Sequence, residues 1–269
     1  PDARNAFDQA MAESLLAALK TAEKDDAVRV VVLTGRGDAF SAGQDIHELY
    51  AKEAQIGAQA AGDELRHRFA PIVLRIRAIW PVLIIMFVAY APAAALRGLW
   101  AGPYLRDLFG ADAVVIGRVT LAMSVAMIAG SFFYGPLDRV FHTRKGVIVA
   151  GNAVLLAALL ALALFGGSGI ALATVLIAVI GLSGQTFAMI VAHGRAFLPP
   201  HLTGRGVTLI NLMGIGAAGL MQVGTGPLWR AADARMDSAA GPYQVLILFF
   251  AAMVGAGLAV YARSEDRTD

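Results

Sequence analysis

Two patterns of apolar and polar positions divide the chain near Ile79. Before this residue, charged side chains are interleaved with short apolar stretches; after it, long apolar runs are separated by short polar turns. Residues 1–79 carry 22 charged side chains, whereas the much longer remainder carries only 20. The pattern predicts a water-soluble α/β segment over residues 1–79 and a bundle of membrane-spanning helices over residues 80–269.

Six apolar runs follow Ile79, each about 20 residues long, which is the length that an α-helix needs to cross a bilayer. Backbone amides in lipid must be paired within the segment, so each run predicts a helix. The runs cover residues 81–99, 116–134, 147–165, 170–191, 207–228 and 243–261. The predicted fold class is therefore mainly all-α membrane, a six-helix transmembrane bundle preceded by a truncated α/β segment.

Composition narrows the classes of function. The chain is 58% hydrophobic, above the roughly 45–50% of soluble domains, which supports a membrane protein with the lipid bilayer as its partner. A net charge of +2 offers no broad basic surface, so no nucleic-acid partner is expected. The chain has no cysteine, and its five histidines lack metal-binding spacing, so we expect no thiol chemistry and no metal site.

The basic residues of the turns predict the orientation of the bundle. Seven lie in the turns after the second and fourth runs and in the C-terminal tail: Arg139, Arg144, Lys145, Arg195, Arg205, Arg263 and Arg267. Five lie on the opposite side: Arg97, Arg106, Arg118, Arg230 and Arg235. Because cytoplasmic turns are enriched in lysine and arginine, both termini are predicted to face the cytoplasm, with the bundle in the cytoplasmic (inner) membrane.

The turn over residues 135–146 reads GPLDRVFHTRKG. It resembles the loop motif of the major facilitator superfamily of transporters, which it matches in type at Gly135, Asp138, Arg139, Arg144 and Lys145, although Asp138 comes one residue early. The resemblance implies that residues 80–269 correspond to the C-terminal six-helix half of such a transporter of small molecules. In this interpretation Asp138 belongs to a two-state latch; a solvated basic turn is the alternative.

Polar residues inside the apolar runs are candidates for the contacts with an unknown small-molecule substrate, since they are costly in lipid and commonly face a cavity. Hydrogen bonding between helices, or snorkelling to the headgroups for the arginine, is the alternative for each. The candidates are Tyr90, Arg97, Gln185, Asn211 and Gln222.

Residues 1–79 carry two further motifs. A predicted helix over residues 10–21 follows the stretch PDARNA at residues 1–6, and a predicted strand over residues 28–33 leads into VVVLTGRGDAFSAGQDI at residues 30–46. Both stretches resemble the crotonase (enoyl-CoA hydratase/isomerase) superfamily. The resemblance implies that the backbone N–H of Gln44 is an oxyanion donor. It also places five residues at the CoA-binding positions: Arg4, Ala42, Gly43, Asp45 and Ile46.

The resemblance also implies a second oxyanion donor and acid/base glutamates further along, where this chain has an apolar run. No glutamate occurs between Glu64 and Glu265. One oxyanion donor without a general base does not make a hydratase. We therefore expect no complete catalytic site, no required cofactor and at most a vestigial binding of CoA thioesters.

Three interpretations of the whole chain follow, with domains at residues 1–79 and 80–269. The first is a transporter-like half that needs a second six-helix half, from a homodimer or a separate chain, fused to a non-catalytic fragment. The second is a membrane-tethered crotonase-like enzyme or CoA-binding module. The third is a chimeric reading frame with no activity of its own. The chain begins at Pro1, and we expect the true N-terminus to lie upstream.

Overall fold

The computed structural model describes residues 14, 15, 17, 18, 20, 21 and 76–268. The chain divides into two compact units, Pro1–Arg68 and Phe69–Asp269. In the first unit the six described residues are helical, and the Thr21 hydroxyl donates to the Ala17 carbonyl oxygen over 3.0 Å. The predicted helix over residues 10–21 is confirmed at these positions. The predicted strand over residues 28–33 lies outside the described residues.

Residues 76–268 are built from ten α-helices, which we number in chain order. Short 3-10 or π turns extend several of them. The helices are α1 (Trp80–Ala89), α2 (Ala91–Ala95), α3 (Ala101–Phe109), α4 (Ala113–Tyr134), α5 (Leu137–Phe141), α6 (Arg144–Phe165), α7 (Ile170–Ser183), α8 (Phe187–Arg195), α9 (Thr203–Asp233) and α10 (Gly241–Tyr261).

These helices combine into six segments that are long and apolar enough to cross a membrane, as the hydrophobic runs predict. We call them spans 1 to 6. They are Arg77–Phe109, Ala113–Tyr134, Arg144–Ser168, Ile170–Arg195, Thr203–Asp233 and Gly241–Tyr261.

Span 1 is longer than the apolar run from which it was predicted. The run over residues 81–99 ends before a polar stretch that was expected to form a turn, but the helix α3 continues through this stretch to Phe109. Its amphipathic pattern explains the difference: Tyr104 and Leu105 are buried, whereas Arg106 and Asp107 are exposed. The Asp107 carboxylate accepts a hydrogen bond from the Tyr243 hydroxyl of span 6, which ties this end of the helix to the bundle.

Two side-chain caps define the starts of spans 2 and 3. The Asp112 carboxylate accepts a hydrogen bond from the Val115 backbone N–H over 2.8 Å, and the Thr143 hydroxyl accepts one from the Gly146 backbone N–H over 2.8 Å. Each cap satisfies a backbone donor that has no partner within its helix.

The six spans pack as two related groups of three. Span 1 lies against spans 5 and 6, span 4 lies against spans 2 and 3, and span 3 lies against span 6. If spans 1, 2 and 3 are equated with spans 4, 5 and 6, these pairings map onto one another or onto themselves. The contact between spans 5 and 6 is an exception, because spans 2 and 3 make no comparable contact. Equivalent spans run in opposite directions, so the arrangement is that of an inverted repeat.

Burial is uneven among the spans. In the most apolar window of span 1, 67% of the residues are buried, compared with 22% in span 2 and 33% in span 5. Spans 2 and 5, which occupy equivalent positions in the repeat, are therefore also the two most exposed spans.

Candidate functional site

The turn between spans 2 and 3 and the C-terminal tail meet in a polar cluster, which we call the tail cluster (Thr143, Lys145, His193, Tyr261 and Asp266). The Asp266 carboxylate accepts hydrogen bonds from the Thr143 hydroxyl and from the Lys145 backbone N–H, the latter over 3.0 Å. The Lys145 ammonium donates to the backbone carbonyl oxygen of Ser264 over 2.7 Å. The tail therefore covers the start of span 3 and satisfies one of its free backbone donors.

His193 anchors the same tail to the end of span 4, and its side chain is fully buried. Its Nε2 atom accepts a hydrogen bond from the Arg267 backbone N–H over 3.3 Å, and its Nδ1 atom lies 2.6 Å from the Tyr261 hydroxyl oxygen. Which of the two donates in the contact between Nδ1 and Tyr261 depends on the tautomer of His193. The Arg267 guanidinium lies over the Phe197 ring at 4.7 Å from its centroid, a cation–π contact.

The electrostatics of Asp266 follow from these contacts. Partial burial acts to raise the pKa of its carboxyl group, but the hydrogen bonds from Thr143 and Lys145 favour the ionised form and hold the pKa below its ordinary value. The tail cluster is therefore assembled around an ionised carboxylate.

The five residues of the predicted loop motif occupy this region, with different roles. Asp138 pairs with Arg144 across 3.3 Å, and each side chain is 19% exposed. Lys145 binds the tail. Gly135 follows the last residue of α4, and Arg139 is exposed on α5. The structure brings Asp138, Arg144 and Lys145 together, and the latch function of the motif stays a prediction.

A second group of polar residues lies where spans 1 and 4 are interrupted. Span 1 breaks at Tyr90, between α1 and α2, and span 4 breaks at the 3-10 turn Gly184–Thr186, between α7 and α8. The Tyr90 and Phe187 rings lie 5.3 Å apart between centroids. A Cβ atom on Gly184 would lie 2.9 Å from the Cβ atom of Ala93, so the two interruptions face each other closely.

Tyr90 is one of the predicted substrate contacts, and two others, Gln185 and Gln222, lie beside the same interruptions. Gln185 accepts a hydrogen bond from the Ser131 hydroxyl of span 2 over 3.1 Å. The Gln222 side-chain amide of span 5 approaches the Ala94 carbonyl oxygen at 3.5 Å. All three side chains remain at least partly exposed. Spans 1, 2, 4 and 5 thus each contribute a polar group to the region around the two interruptions.

The other two predicted contacts are placed differently. Arg97 is exposed in the π-helical turn Leu96–Trp100, next to the Gly98 on which Gln222 packs. Asn211 is half-buried on α9, about 16 Å along the helix from Gln222. Asn211 lies one turn before Gly214, at which an added Cβ atom would lie 2.6 Å from the Phe187 ring, so it is near the interruption of span 4 but far from Gln222.

The crotonase-type residues (Arg4, Ala42, Gly43, Gln44, Asp45 and Ile46) lie outside the described residues, and their roles stay predictions. Within the described ranges, no group of three or more histidine, aspartate and glutamate side chains is arranged to hold a metal ion.

Among the buried polar residues that the sequence did not point to are Asn152, Ser183, Thr186 and His193. All four lie inside or at the end of apolar runs, where polar side chains commonly mark functional positions. Asn152 and His193 could have been recognised in the sequence, because each is a polar residue among apolar neighbours. For Ser183 and Thr186 the signal was weak, because small hydroxyl residues are frequent in membrane helices.

Comparison with known proteins bears on the N-terminal region. Residues 1–95 match the family described as enoyl-CoA hydratase/isomerase, and the match ends inside span 1. A putative enoyl-CoA hydratase of Thermus thermophilus is 51% identical over 59 residues, which are 22% of this chain and 23% of that protein. A hydroxycinnamoyl-CoA hydratase-lyase of Pseudomonas fluorescens is 36% identical over 66 residues, 24% of each protein.

A third relative, the 1,2-epoxyphenylacetyl-CoA isomerase of Escherichia coli, is 30% identical over 118 residues, which are 44% of this chain and 41% of that protein. The chain spans less than half the length of each of these relatives. The expected similarity to the enoyl-CoA hydratase/isomerase family is confirmed for the N-terminal region, which is crotonase-like.

Proposed function

We propose that residues 80–269 are the C-terminal six-helix half of a major-facilitator-type transporter of small molecules. The proposed half lies in the cytoplasmic membrane with both termini in the cytoplasm. Residues 1–79 are then a non-catalytic enoyl-CoA hydratase-like segment in front of it. The observation that carries the proposal is the inverted repeat of spans 1–3 and 4–6, with equivalent spans 1 and 4 interrupted near their centres.

Inverted three-helix repeats are typical of the halves of such transporters, and interrupted helices in corresponding positions mark their binding sites. In this chain the two interruptions bring Tyr90 and Gln185 into one zone, with Gln222 beside them. These neutral hydrogen-bonding groups suit a polar small molecule. Arg97, exposed one residue before Gly98, adds a positive charge that suits an anionic group on the substrate.

A second six-helix half is the proposed partner, because transporters of this type alternate between two states by rocking one half against the other. Spans 2 and 5 offer the surface for it. Their exposed apolar side chains include Leu121, Val125, Ile128 and Phe132 of span 2 and Leu212, Ile215, Leu220 and Val223 of span 5. On span 5, Gly216 and Gly219 face open space, which allows close approach of another helix.

Cysteine labelling tests the membrane topology, since the chain has no cysteine of its own. His142→Cys and Ser168→Cys place single thiols in the exposed turns at opposite ends of span 3. A membrane-impermeant maleimide is expected to label Ser168→Cys in intact cells and His142→Cys only after the membrane is opened. Recovery of both variants in the soluble fraction, or labelling with the opposite sidedness, contradicts the proposal.

Crosslinking tests the partner. Val223→Cys places a thiol on the exposed face of span 5, and Leu164→Cys places one at an exposed position of span 3 as a control. Oxidation is expected to join Val223→Cys, but not Leu164→Cys, to a second copy or to a separate chain in the membrane. A chain that stays strictly monomeric and moves no solute in proteoliposomes contradicts the transporter interpretation.

A second candidate function is favoured by the family match, which runs from residue 1 into span 1. In this alternative the chain is a membrane-tethered module that binds or converts CoA thioesters. Hydration of crotonyl-CoA, followed by the loss of its ultraviolet absorbance, and binding of CoA to the purified chain test it directly. We expect no turnover, because the sequence offers one oxyanion donor, Gln44, and no glutamate between Glu64 and Glu265 to act as the general base.

The third interpretation, a chimeric reading frame without its own activity, is tested on the source DNA. Primers that flank codons 60–100 are expected to amplify one continuous template if the junction is natural. If no template crosses the junction at residues 79 and 80, the two regions belong to separate proteins, and the proposed fusion is wrong.

A further inference from the structure

Spans 2, 3 and 4 enclose a buried polar cluster that has no role in the proposed substrate site. We call it the Asn152 cluster; its members are Tyr134, Asn152, Ser183 and Thr186. The last three are fully buried, and Tyr134 is only 5% exposed. Buried polar groups in an apolar bundle are costly unless each finds a partner.

Asn152 Oδ1 has no hydrogen-bond partner within the described part of the chain. The Ser183 hydroxyl has the Tyr134 hydroxyl as its side-chain neighbour. The Asn152 amide nitrogen donates to the Ile148 carbonyl oxygen over 2.9 Å and approaches the Thr186 hydroxyl at 3.3 Å. A flipped amide would set Oδ1 against the Ile148 carbonyl oxygen, so the orientation is determined and Oδ1 is left as a bare acceptor.

The interruption of span 4 lies at the same place, with Ser183 directly before its 3-10 turn and Thr186 at the end of that turn. The Phe187 backbone N–H donates to the Gly184 carbonyl oxygen, three residues back, and not to the Ser183 carbonyl oxygen as in a regular α-helix. Helix α7 ends at Ser183, so the partial negative charge of its C-terminal end points into this region. Ser183 and Thr186 are three residues apart and lie on one face of the chain.

Close packing holds the cluster together. A Cβ atom on Gly151 would lie 2.4 Å from the Thr186 methyl carbon and 2.9 Å from the Tyr134 hydroxyl oxygen. The backbone of span 3 therefore lies directly against both side chains at the residue before Asn152. The cluster is about 12 Å along span 3 from Arg144, well inside the apolar part of the helix.

We propose that the Asn152 cluster binds a sodium ion. Its ligands are the Asn152 side-chain oxygen and the Ser183 and Thr186 hydroxyl oxygens. Hard cations take oxygen ligands of these kinds, and interrupted membrane helices supply them through side chains and unwound carbonyls. The site has no carboxylate to balance a divalent charge, and its tight packing suits a small monovalent ion. The inference concerns the folded bundle and goes beyond the transport activity proposed above.

Thermal unfolding of the purified full chain in detergent tests the site. The sodium concentration is raised at constant ionic strength by replacing choline chloride with sodium chloride. Because a ligand that binds only the folded state stabilises it by mass action, the Tm is expected to rise with the logarithm of the sodium concentration once this exceeds the Kd, by a few degrees over the titration. Potassium chloride in the same titration is expected to give a smaller rise.

Ser183→Ala separates ion binding from structure. The hydroxyl that it removes has the Tyr134 hydroxyl as its neighbour, so this variant is expected to lower the Tm in choline chloride only slightly and to lose the response to sodium. The matched control is Thr174→Val in the same helix, whose hydroxyl bonds only to the Ile170 carbonyl oxygen of its own turn. This control is expected to keep the sodium response.

Equilibrium dialysis with radiolabelled sodium gives a readout that does not depend on unfolding, with one ion bound per chain as the expected result. A Tm that does not change with sodium, together with no bound label, overturns the proposal and assigns the bare Asn152 oxygen to a buried water molecule. An unaltered sodium response in Ser183→Ala also overturns it. Neither outcome depends on whether the chain transports a solute.

Discussion

The Nε2 atom of His193 accepts a hydrogen bond from the backbone N–H of Arg267 over 3.3 Å, although the first residue lies at the end of span 4 and the second in the C-terminal tail. The contact fixes the tail across the end of the bundle. The same tail binds the start of span 3 through Asp266. One short segment thus connects the ends of spans 3, 4 and 6, and a rearrangement of these helices must either carry the tail along or release it.

Asp266→Asn is expected to loosen the tail. The substitution removes the charge from two hydrogen bonds at the start of span 3, and charge-assisted bonds of this kind contribute about 1.5–3 kcal/mol when shielded, less where water competes as it does here. Faster cleavage of the tail by carboxypeptidase and a lower Tm measure the effect. The matched control is Glu265→Gln, which loses only an exposed pair with Arg267. Equal behaviour of the two variants contradicts the role assigned to Asp266.

Acid is expected to release the same tail. The pKa of Asp266 is lowered in the folded chain, so its contribution to the free energy of unfolding is fully present above the pKa of the unfolded chain, about 3.9. The contribution is lost as the pH falls through the lowered folded pKa. Tail cleavage should therefore increase below about pH 4 in the wild type and show no such step in Asp266→Asn. A step of the same size in both proteins assigns the acid sensitivity to another group.

His193→Ala is expected to destabilise the bundle. The change leaves the Tyr261 hydroxyl without its partner and opens a cavity at a fully buried position, which together cost about 2–4 kcal/mol. The Tm in detergent measures the loss. His142→Asn is the control, because His142 is exposed and has a φ of 51°, a conformation that asparagine tolerates. A wild-type Tm for His193→Ala rules out an anchoring role for this residue.

Asp138 and Arg144 are expected to be coupled, since their side chains form an ion pair at 3.3 Å. A double-mutant cycle with Asp138→Asn and Arg144→Gln isolates the interaction. For a pair near the surface the coupling is expected to be about 0.5–1 kcal/mol. A cycle with Arg139→Gln in place of Arg144→Gln is the control and is expected to show none. If both cycles give zero, the pair has no structural role in this state.

Gly151→Ala is expected to destabilise the bundle by forcing spans 3 and 4 apart. The added methyl group would lie 2.4 Å from the Thr186 methyl carbon, and overpacking of this kind costs about 1–3 kcal/mol. Gly216→Ala on the open face of span 5 meets no atom within 4 Å and is expected to be neutral or stabilising. The Tm of the two variants decides the matter, and equal values contradict the close packing at Gly151.

The positions of the spans could be predicted from the sequence, while their internal breaks and ends could not. Apolar length is a local property, and it placed all six helices. The extension of span 1 to Phe109 was missed because Arg106 and Asp107 read as turn residues. Their helix is held by the bond between Asp107 and Tyr243, which are 136 positions apart. The interruption at Gly184–Thr186 was missed for the related reason that no proline or charge marks it.

The sequence by itself determined the division into a crotonase-like region and six apolar helices, because hydrophobic patterning and the motifs of residues 1–46 are written in consecutive residues. It also proposed Asp138, Arg144 and Lys145 as one group. Only the tertiary structure decided that Asp138 pairs with Arg144, that the tail covers span 3, and that Asn152 meets Thr186. These contacts join residues from different helices, and their partners are selected by how the spans pack.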